Sequence, residues 1–287
     1  MINILPQPKH IQELGGTTGV IRSFRVSDPE ILDLCRLRFW NCPDVTFVTE
    51  GGDIIIDFVK DLSGVESDKP ELLAEQGYVV EVAEDKVTVR YEGRAGLING
   101  ITTLKLLRKD GLLPLCKITD WPSLAVRAIA QTFSWYAGYG RLGFDSQLWG
   151  YDEWAEYLNI CLDNKINQFN LVMYGYWPFD LPGHPETVFR DVPVKIWNAE
   201  NRRWLSMRYT HPNLEEPFMD RFIQLAHKFC VKIFAYVGLN SYNGAYSIKH
   251  PEARMKPPAH QGFLNDFDSL CLSYPGVREY ILESMRQ

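Results

Sequence analysis

The first part of the chain alternates between two hydrophobic rhythms. Asp53 to Phe58 is a short apolar run after the Gly51-Gly52 turn signal, and it predicts a strand. Gly77–Val82 and Lys86–Tyr91 alternate apolar and polar positions with period two. Ala83-Glu84-Asp85 joins them, so the pair predicts a hairpin. Two stretches switch to helical spacing. Pro29 to Phe39 carries Ile31, Leu34 and Leu37, and Gly93 to Lys109 carries Leu97, Ile101, Leu104 and Leu107. Strands with two helices predict a sheet covered on one face, a small α+β domain.

Leu112 to Pro122 reads as a linker, because Pro114 and Pro122 each disfavour helix in the residue before them. Beyond it the rhythm becomes strand, long loop, helix. Val126–Phe133, Gln168–Tyr174 and Val231–Val237 are buried-type strands. Tyr151–Asn164, Pro217–Phe229 and a segment opening at Tyr274-Pro275-Gly276-Val277 are helical. The predicted fold class is α/β: a small α+β domain over residues 1–118, then over 119–287 the first part, about three βα units, of a TIM (β/α)8 barrel. A closed barrel needs about eight units. The expected partner is therefore the remaining barrel segment, from a longer polypeptide or a partner chain.

Composition narrows the function classes. Hydrophobic residues make up 46% of the 287, enough for a sizeable core. The net charge of −6 comes without a basic stripe, which argues against a nucleic-acid partner. No run approaches the roughly 18 apolar residues of a membrane span. Met1 to Pro8 lacks the charged and apolar regions of a leader. The six cysteines are scattered and form no CxxC pair, so the expectation is a reducing, cytoplasmic setting with no metal site. Nucleotide-binding glycine patterns and a Gly-x-Ser-x-Gly elbow are both missing, so no cofactor is expected.

A series of short motifs points further. Ile4-Leu5-Pro6-Gln7-Pro8-Lys9 opens it. Gly77–Val82, Gly93-Arg94-Ala95-Gly96-Leu97-Ile98-Asn99-Gly100-Ile101-Thr102-Thr103-Leu104 and Leu113-Pro114 through Ile118-Thr119-Asp120-Trp121-Pro122 continue it, and Arg127 ends it. In that order they resemble glycoside hydrolase family 20, the β-N-acetylhexosaminidases, over residues 1 to 127. Related glycosidases, including α-glucuronidases, place the same small domain before a barrel. The resemblance implies a glycosidase acting on an oligosaccharide or glycoside, with a β-N-acetylhexosaminide as substrate and the substrate's own acetamido group as nucleophile. Beyond Arg127 the pattern departs. Ala128 to Thr132 stand where the family has glycine, aspartate and a second arginine. Tyr174-Gly175-Tyr176-Trp177 stand where it has His and Asp. The family's His-Gly-Gly-Asp-Glu motif is absent, so its acid pair is expected C-terminal to Gln287 and the chain alone is expected to be catalytically incomplete. The competing expectations are an α-glucuronidase-like glycosidase and a non-catalytic carbohydrate-binding or assembly module.

Barrel enzymes gather function at the C-terminal ends of their strands. The candidate substrate-binding residues are accordingly Arg127, Trp135 and Tyr136 on and after the first barrel strand, Tyr174, Tyr176 and Trp177 after the second, and Asn240 and Tyr242 after the third. Flat rings with polar edges suit sugars, which offer C–H faces and hydroxyl rims. The guanidinium of Arg127 offers five donors, and an unpartnered charge in an apolar strand would be costly. No residue is assigned as catalytic acid or nucleophile. His184, between Asp180 and Glu186, is weaker: a solvated loop is the better reading. Trp121 and Trp204 read as packing residues.

Overall fold

The computed structural model describes residues 2–132, 149–173, 182–185, 188, 190–237, 246–255 and 269–286. These fall into two compact units. The first gathers Met1–Ala128 with Glu156–Gln168 and Gln224–Lys232; the second holds the rest.

The first unit is built on a seven-stranded mixed sheet. Its strands are β1 (His10–Thr17), β2 (Ser23–Arg25), β3 (Thr46–Val48), β4 (Ile54–Lys60), β5 (Tyr78–Val82), β6 (Lys86–Tyr91) and β7 (Pro114–Asp120). They lie in the order β1-β7-β5-β6-β4-β2-β3. The hairpin of β5 and β6 pairs antiparallel with Val80 opposite Val89, as the alternation predicts. The predicted helices appear as α1 (Pro29–Arg38) and α3 (Arg94–Leu107). A shorter helix between them, α2 (Pro70–Gln76), is a further element. Asp28 caps α1 by accepting from the amides of Glu30 and Ile31, which satisfies two donors the helix leaves open. Val79, Val80, Val87 and Val89 of the hairpin and Ile101 and Leu104 of α3 are almost fully buried. Each contributes about 1.5–3 kcal/mol relative to an exposed position.

The linker reading of Leu112 to Pro122 is corrected: Pro114–Asp120 is β7, a central strand paired antiparallel with both β1 and β5. Pro114 occupies its first residue, where a missing N–H is tolerated. Cys116, Ile118 and Asp120 alternate inward. Ile4 to Lys9, which opens the motif series, precedes the first strand, which begins at His10.

Two glycines of the Gly93–Leu104 motif have a steric cause. A Cβ on Gly96 would sit 2.2 Å from the carbonyl oxygen of Gly77, and one on Gly93 would sit 2.2 Å from that of Glu75. The start of α3 therefore approaches the α2–β5 turn backbone to backbone, which only glycine permits.

The barrel part holds β8 (Ala128–Thr132), α4 (Tyr151–Asp163), β9 (Gln168–Met173), α6 (Met219–Lys228), β12 (Lys232–Val237), the one-turn α7 (Tyr246–Lys249) and α8 (Val277–Arg286). The three strands form one sheet in the order β12-β9-β8. The amide of Asn167, just before β9, donates to the carbonyl of Arg127, just before β8. The amide of Lys232 donates to the carbonyl of Asn167. Strand starts lie beside strand starts, so the sheet is parallel, as helix-separated strands require. Trp154, Phe169 and Phe222 pack together in the second unit, with the Trp154 and Phe222 rings 5.5 Å apart.

Between β9 and α6 the chain carries an antiparallel hairpin, β10 (Val192–Asn198) and β11 (Arg203–Tyr209), and a short helix α5 (Pro212–Glu215). The hairpin stands where the sequence reads as a long loop.

Candidate functional site

Arg127 stands at the entry of β8. Its Nε donates to the carbonyl of Lys165 at 2.7 Å, and its Nη1 donates to the carbonyl of Leu124 at 2.8 Å. Its own amide donates to Asn167 Oδ1 at 2.8 Å. Burial draws the guanidinium below its ordinary pKa, while Asp120 and Glu75 oppose that shift. The expectation set Arg127 at the mouth where the strands end. The side chain instead ties together the backbone that enters β8 and β9. The physical reason is position: Arg127 precedes the strand's first residue, and the carbonyls in reach belong to the turns beside it.

Lys165 is the other half of this arrangement. It ends α4 in the left-handed region, with φ at 54°, a position usually taken by glycine or asparagine. Its ammonium donates to Asp120 Oδ2 at 2.8 Å and to the hydroxyl of Tyr78 at 2.6 Å. The Tyr78 hydroxyl accepts from Thr103 Oγ1 at 2.6 Å and donates to Asp120 Oδ2 at 3.0 Å. Asp120 Oδ1 accepts from the amide of Lys9. Every polar atom of this buried group is partnered, the condition under which buried charge is tolerated. Burial first, and the Asp120 charge second, hold the Tyr78 hydroxyl well above its ordinary pKa, so it stays a donor.

A second polar cluster anchors the same helix. The buried guanidinium of Arg38 donates to Thr102 Oγ1 at 3.0 Å and also to Asn159 and Asp163. Lys105 Nζ reaches both oxygens of Asp163, at 3.1 and 3.2 Å. Sequence reasoning missed Arg38, Asp120, Asn159, Asp163 and Lys165. The available signal was polar residues standing inside otherwise apolar helical and strand patterns.

A cavity of about 510 Å³ opens beside this framework, lined by Arg94, Asn99, Arg127, Asn167, His227 and Lys232 among others. Its size falls within the range of ligand pockets. Yet Arg127, Asn167 and Lys232 mark it as lying at the strand starts, the end that barrels use for stability rather than catalysis.

Of the other expected residues, Trp135, Tyr136, Tyr174, Tyr176, Trp177, Asn240 and Tyr242 lie outside the described residues, as do Asp180 and Glu186. By sequence they follow Thr132, Met173 and Val237, the last residues of β8, β9 and β12. His184 is described and is no bare solvated loop residue: its ring meets Tyr280 at 5.3 Å and Tyr246 at 6.1 Å. Trp121 is a packing residue, buried, with its indole N–H donating to Asp68 at 2.8 Å. Trp204 is not: 64% of it is exposed. Among the described residues no group of His, Cys, Asp and Glu could hold a metal ion, and no helix is long and apolar enough to cross a membrane.

The part of the first unit from β3 to β7, with α2 and α3, coincides with a known sequence pattern. Residues 45–121 match the family model described as glycosyl hydrolase family 20, domain 2. The N-terminal domain is glycosyl hydrolase family 20-like. Solved structures cover both this family-20-like domain and the strand–helix units after it. A mutant β-hexosaminidase from Streptomyces plicatus, in complex with the product GlcNAc, matches with a TM-score of 0.66 at 17% identity, covering 98% of this chain and 55% of that one. A family 20 exo β-N-acetylglucosaminidase from Vibrio harveyi, in complex with N-acetylglucosamine, matches at 0.67 and 14% identity, covering 99% and 44%. A β-N-acetylhexosaminidase from Bacteroides fragilis matches at 0.63 and 14% identity, covering 99% and 53%. The likeness establishes the fold, a family-20-like α+β domain followed by the first part of a (β/α) barrel. The chain spans about half the length of the solved structures it matches.

Proposed function

We propose that this chain is the N-terminal part of a glycosidase acting on β-N-acetylhexosaminides. The observation that carries the reading is the match of nearly the whole chain, small domain and strand–helix units together, to structures whose bound sugar is N-acetylglucosamine. The family-20-like domain over residues 45–121 supports it. In this reading Trp135, Tyr136, Tyr174, Tyr176, Trp177, Asn240 and Tyr242 form the sugar-facing wall. Their place after parallel strands supports that role, because such strands all end on one side. Arg127 and Lys165 act one step back: they fix the backbone that enters β8 and β9, and so the aim of the segments that leave them.

The acid pair is supplied by barrel strands other than β8, β9 and β12, from a further barrel segment or a partner chain. The substrate's acetamido oxygen serves as the nucleophile, so the protein need supply no carboxylate for that step. The six cysteines are all free, which supports a reducing, cytoplasmic setting.

The test compares N-acetylglucosamine, glucose and glucuronate as ligands of the chain by saturation-transfer NMR, beside a hydrolysis assay with an aryl N-acetyl-β-glucosaminide. Preferential binding of N-acetylglucosamine without turnover is expected from the chain alone. Preference for glucuronate would favour the α-glucuronidase-like reading. Turnover by the chain alone would place the acid pair within it.

A further inference from the structure

The hairpin of β10 and β11 carries a surface that neither the sheet frame nor the proposed sugar wall uses. In its register Trp197 stands opposite Trp204, and Lys195 opposite Ser206. Cross-strand partners share a face, and so do residues two apart along a strand. One face of the hairpin therefore carries both indoles with Lys195 beside them. The rings lie 5.6 Å apart and tilted by 63°, edge to face, and remain 49% and 64% exposed. Two large rings side by side on one small ribbon form a half-exposed flat apolar surface with a polar edge.

Charge narrows what they contact. Residues 191–209 hold Lys195, Arg202, Arg203 and Arg208 against Asp191 and Glu200, a positive ribbon on a chain whose net charge is −6. Arg208 is occupied by Asp191, with Nε 2.6 Å from Oδ1. Lys195 lies exposed on the strand and Arg202 and Arg203 at the exposed tip, free of ion pairs among the described residues. Rings that stack on sugar faces, next to cations that pair with carboxylates, match a glycan bearing acidic groups. A densely charged nucleic acid fits less well, because the rest of the molecule carries net negative charge.

We propose that this hairpin is a binding platform for an acidic glycan in which uronate residues alternate with N-acetylhexosamine. The proposal rests on the glycosidase reading above and names the polymer class it acts on. The platform holds a stretch of the chain through its rings and carboxylates, away from the bond to be cleaved.

Titration calorimetry with the full chain tests this, using a hyaluronan oligosaccharide, a neutral N-acetylglucosamine oligomer and a single-stranded RNA as probes. Hyaluronan is expected to bind tightest and to weaken as salt is raised. Trp197→Ala with Trp204→Ala, and separately Arg202→Gln with Arg203→Gln, should each weaken it by at least about tenfold. Trp204→Phe keeps a ring and should keep most of the binding, which separates a lost contact from a lost hairpin. Equal affinity for the neutral oligomer, indifference to the arginine variants, or preference for RNA would each overturn the proposal. So would self-association that the Trp variants abolish without any effect on glycan. Binding of monomeric N-acetylglucosamine should be unchanged in every hairpin variant. Its persistence when hyaluronan binding is absent would sink the platform alone; its absence in the parent chain would sink the glycosidase reading.

Discussion

Replacing Lys165 with methionine keeps the length of the side chain and removes its charge and its donors. The ammonium lies 2.8 Å from Asp120 Oδ2, and the two side chains are only 8% and 12% exposed. At an effective dielectric constant of about 20, such a pair attracts by roughly 6 kcal/mol before the cost of desolvating both groups. That cost is already met in the folded protein. Deleting one partner therefore leaves the other buried and uncompensated, at a loss of about 3–5 kcal/mol. The same change removes a donor from the Tyr78 hydroxyl. It also releases the constraint that holds residue 165 at φ 54°, a conformation that costs a side-chain residue about 1 kcal/mol. Urea unfolding followed by far-UV circular dichroism should show the midpoint falling sharply. Lys165→Met with Asp120→Asn should recover part of the loss, because no charge is then stranded. A loss below about 1 kcal/mol for the single variant, or a double variant as damaged as the sum of the singles, would refute the reasoning.

Four further outcomes follow from the same geometry. Gly96→Ala should destabilise by more than about 2 kcal/mol, read from the same urea midpoints, because the added methyl meets a carbonyl oxygen rather than a movable side chain. Arg127→Ala should cost roughly 1.5–3 kcal/mol of stability through its lost carbonyl contacts, read from the same urea midpoints. Asp53 accepts from the amides of Arg22 and Ser23 and from the Ser23 hydroxyl, and these bonds hold its pKa below the ordinary 3.8. Its contribution is present above that value and lost as pH falls through the lower folded value, so Asp53→Asn should lower the melting temperature at pH 7 and have little effect in strong acid. Burial pushes the thiols of Cys116 and Cys161 up to about 11 and raises that of Cys35. Burial also raises Cys42 and Cys230, but these two and Cys271 are only half-buried, so a thiol reagent at pH 8 should label them before the three buried thiols.

Much of the fold was legible because it rests on local periodicity. The β5–β6 hairpin, α1, α3 and the three barrel strands each repeat one rhythm long enough to read. β7 carries the signature of a linker because Pro114 and Pro122 bracket it, and this outweighs the period-two pattern of Cys116, Ile118 and Asp120 between them. The β10–β11 hairpin was missed for a related reason. Its tip, Ala199 to Arg202, contains no glycine, and Arg202 itself takes the positive φ of 48°. β2 and β3 are three residues each, too short for any period to declare itself. The partners of the buried charges were illegible, since the pairs Arg38–Asp163 and Asp120–Lys165 join residues far apart in sequence and only the folded sheet brings them together. Of the expected sugar contacts, the structure describes Arg127 alone, and its sequence context on an apolar strand concealed that its partners are backbone carbonyls.

The central claim is that an N-acetylhexosamine is held by the aromatic segments that follow the barrel strands. Isothermal titration of the chain with N-acetylglucosamine, repeated with the Tyr174→Ala, Trp177→Ala double variant, tests it most directly. Saturable binding in the region of a millimolar dissociation constant is predicted for the parent, weakened by at least about tenfold in the variant. Absent binding, or equal affinity in parent and variant, would contradict the account.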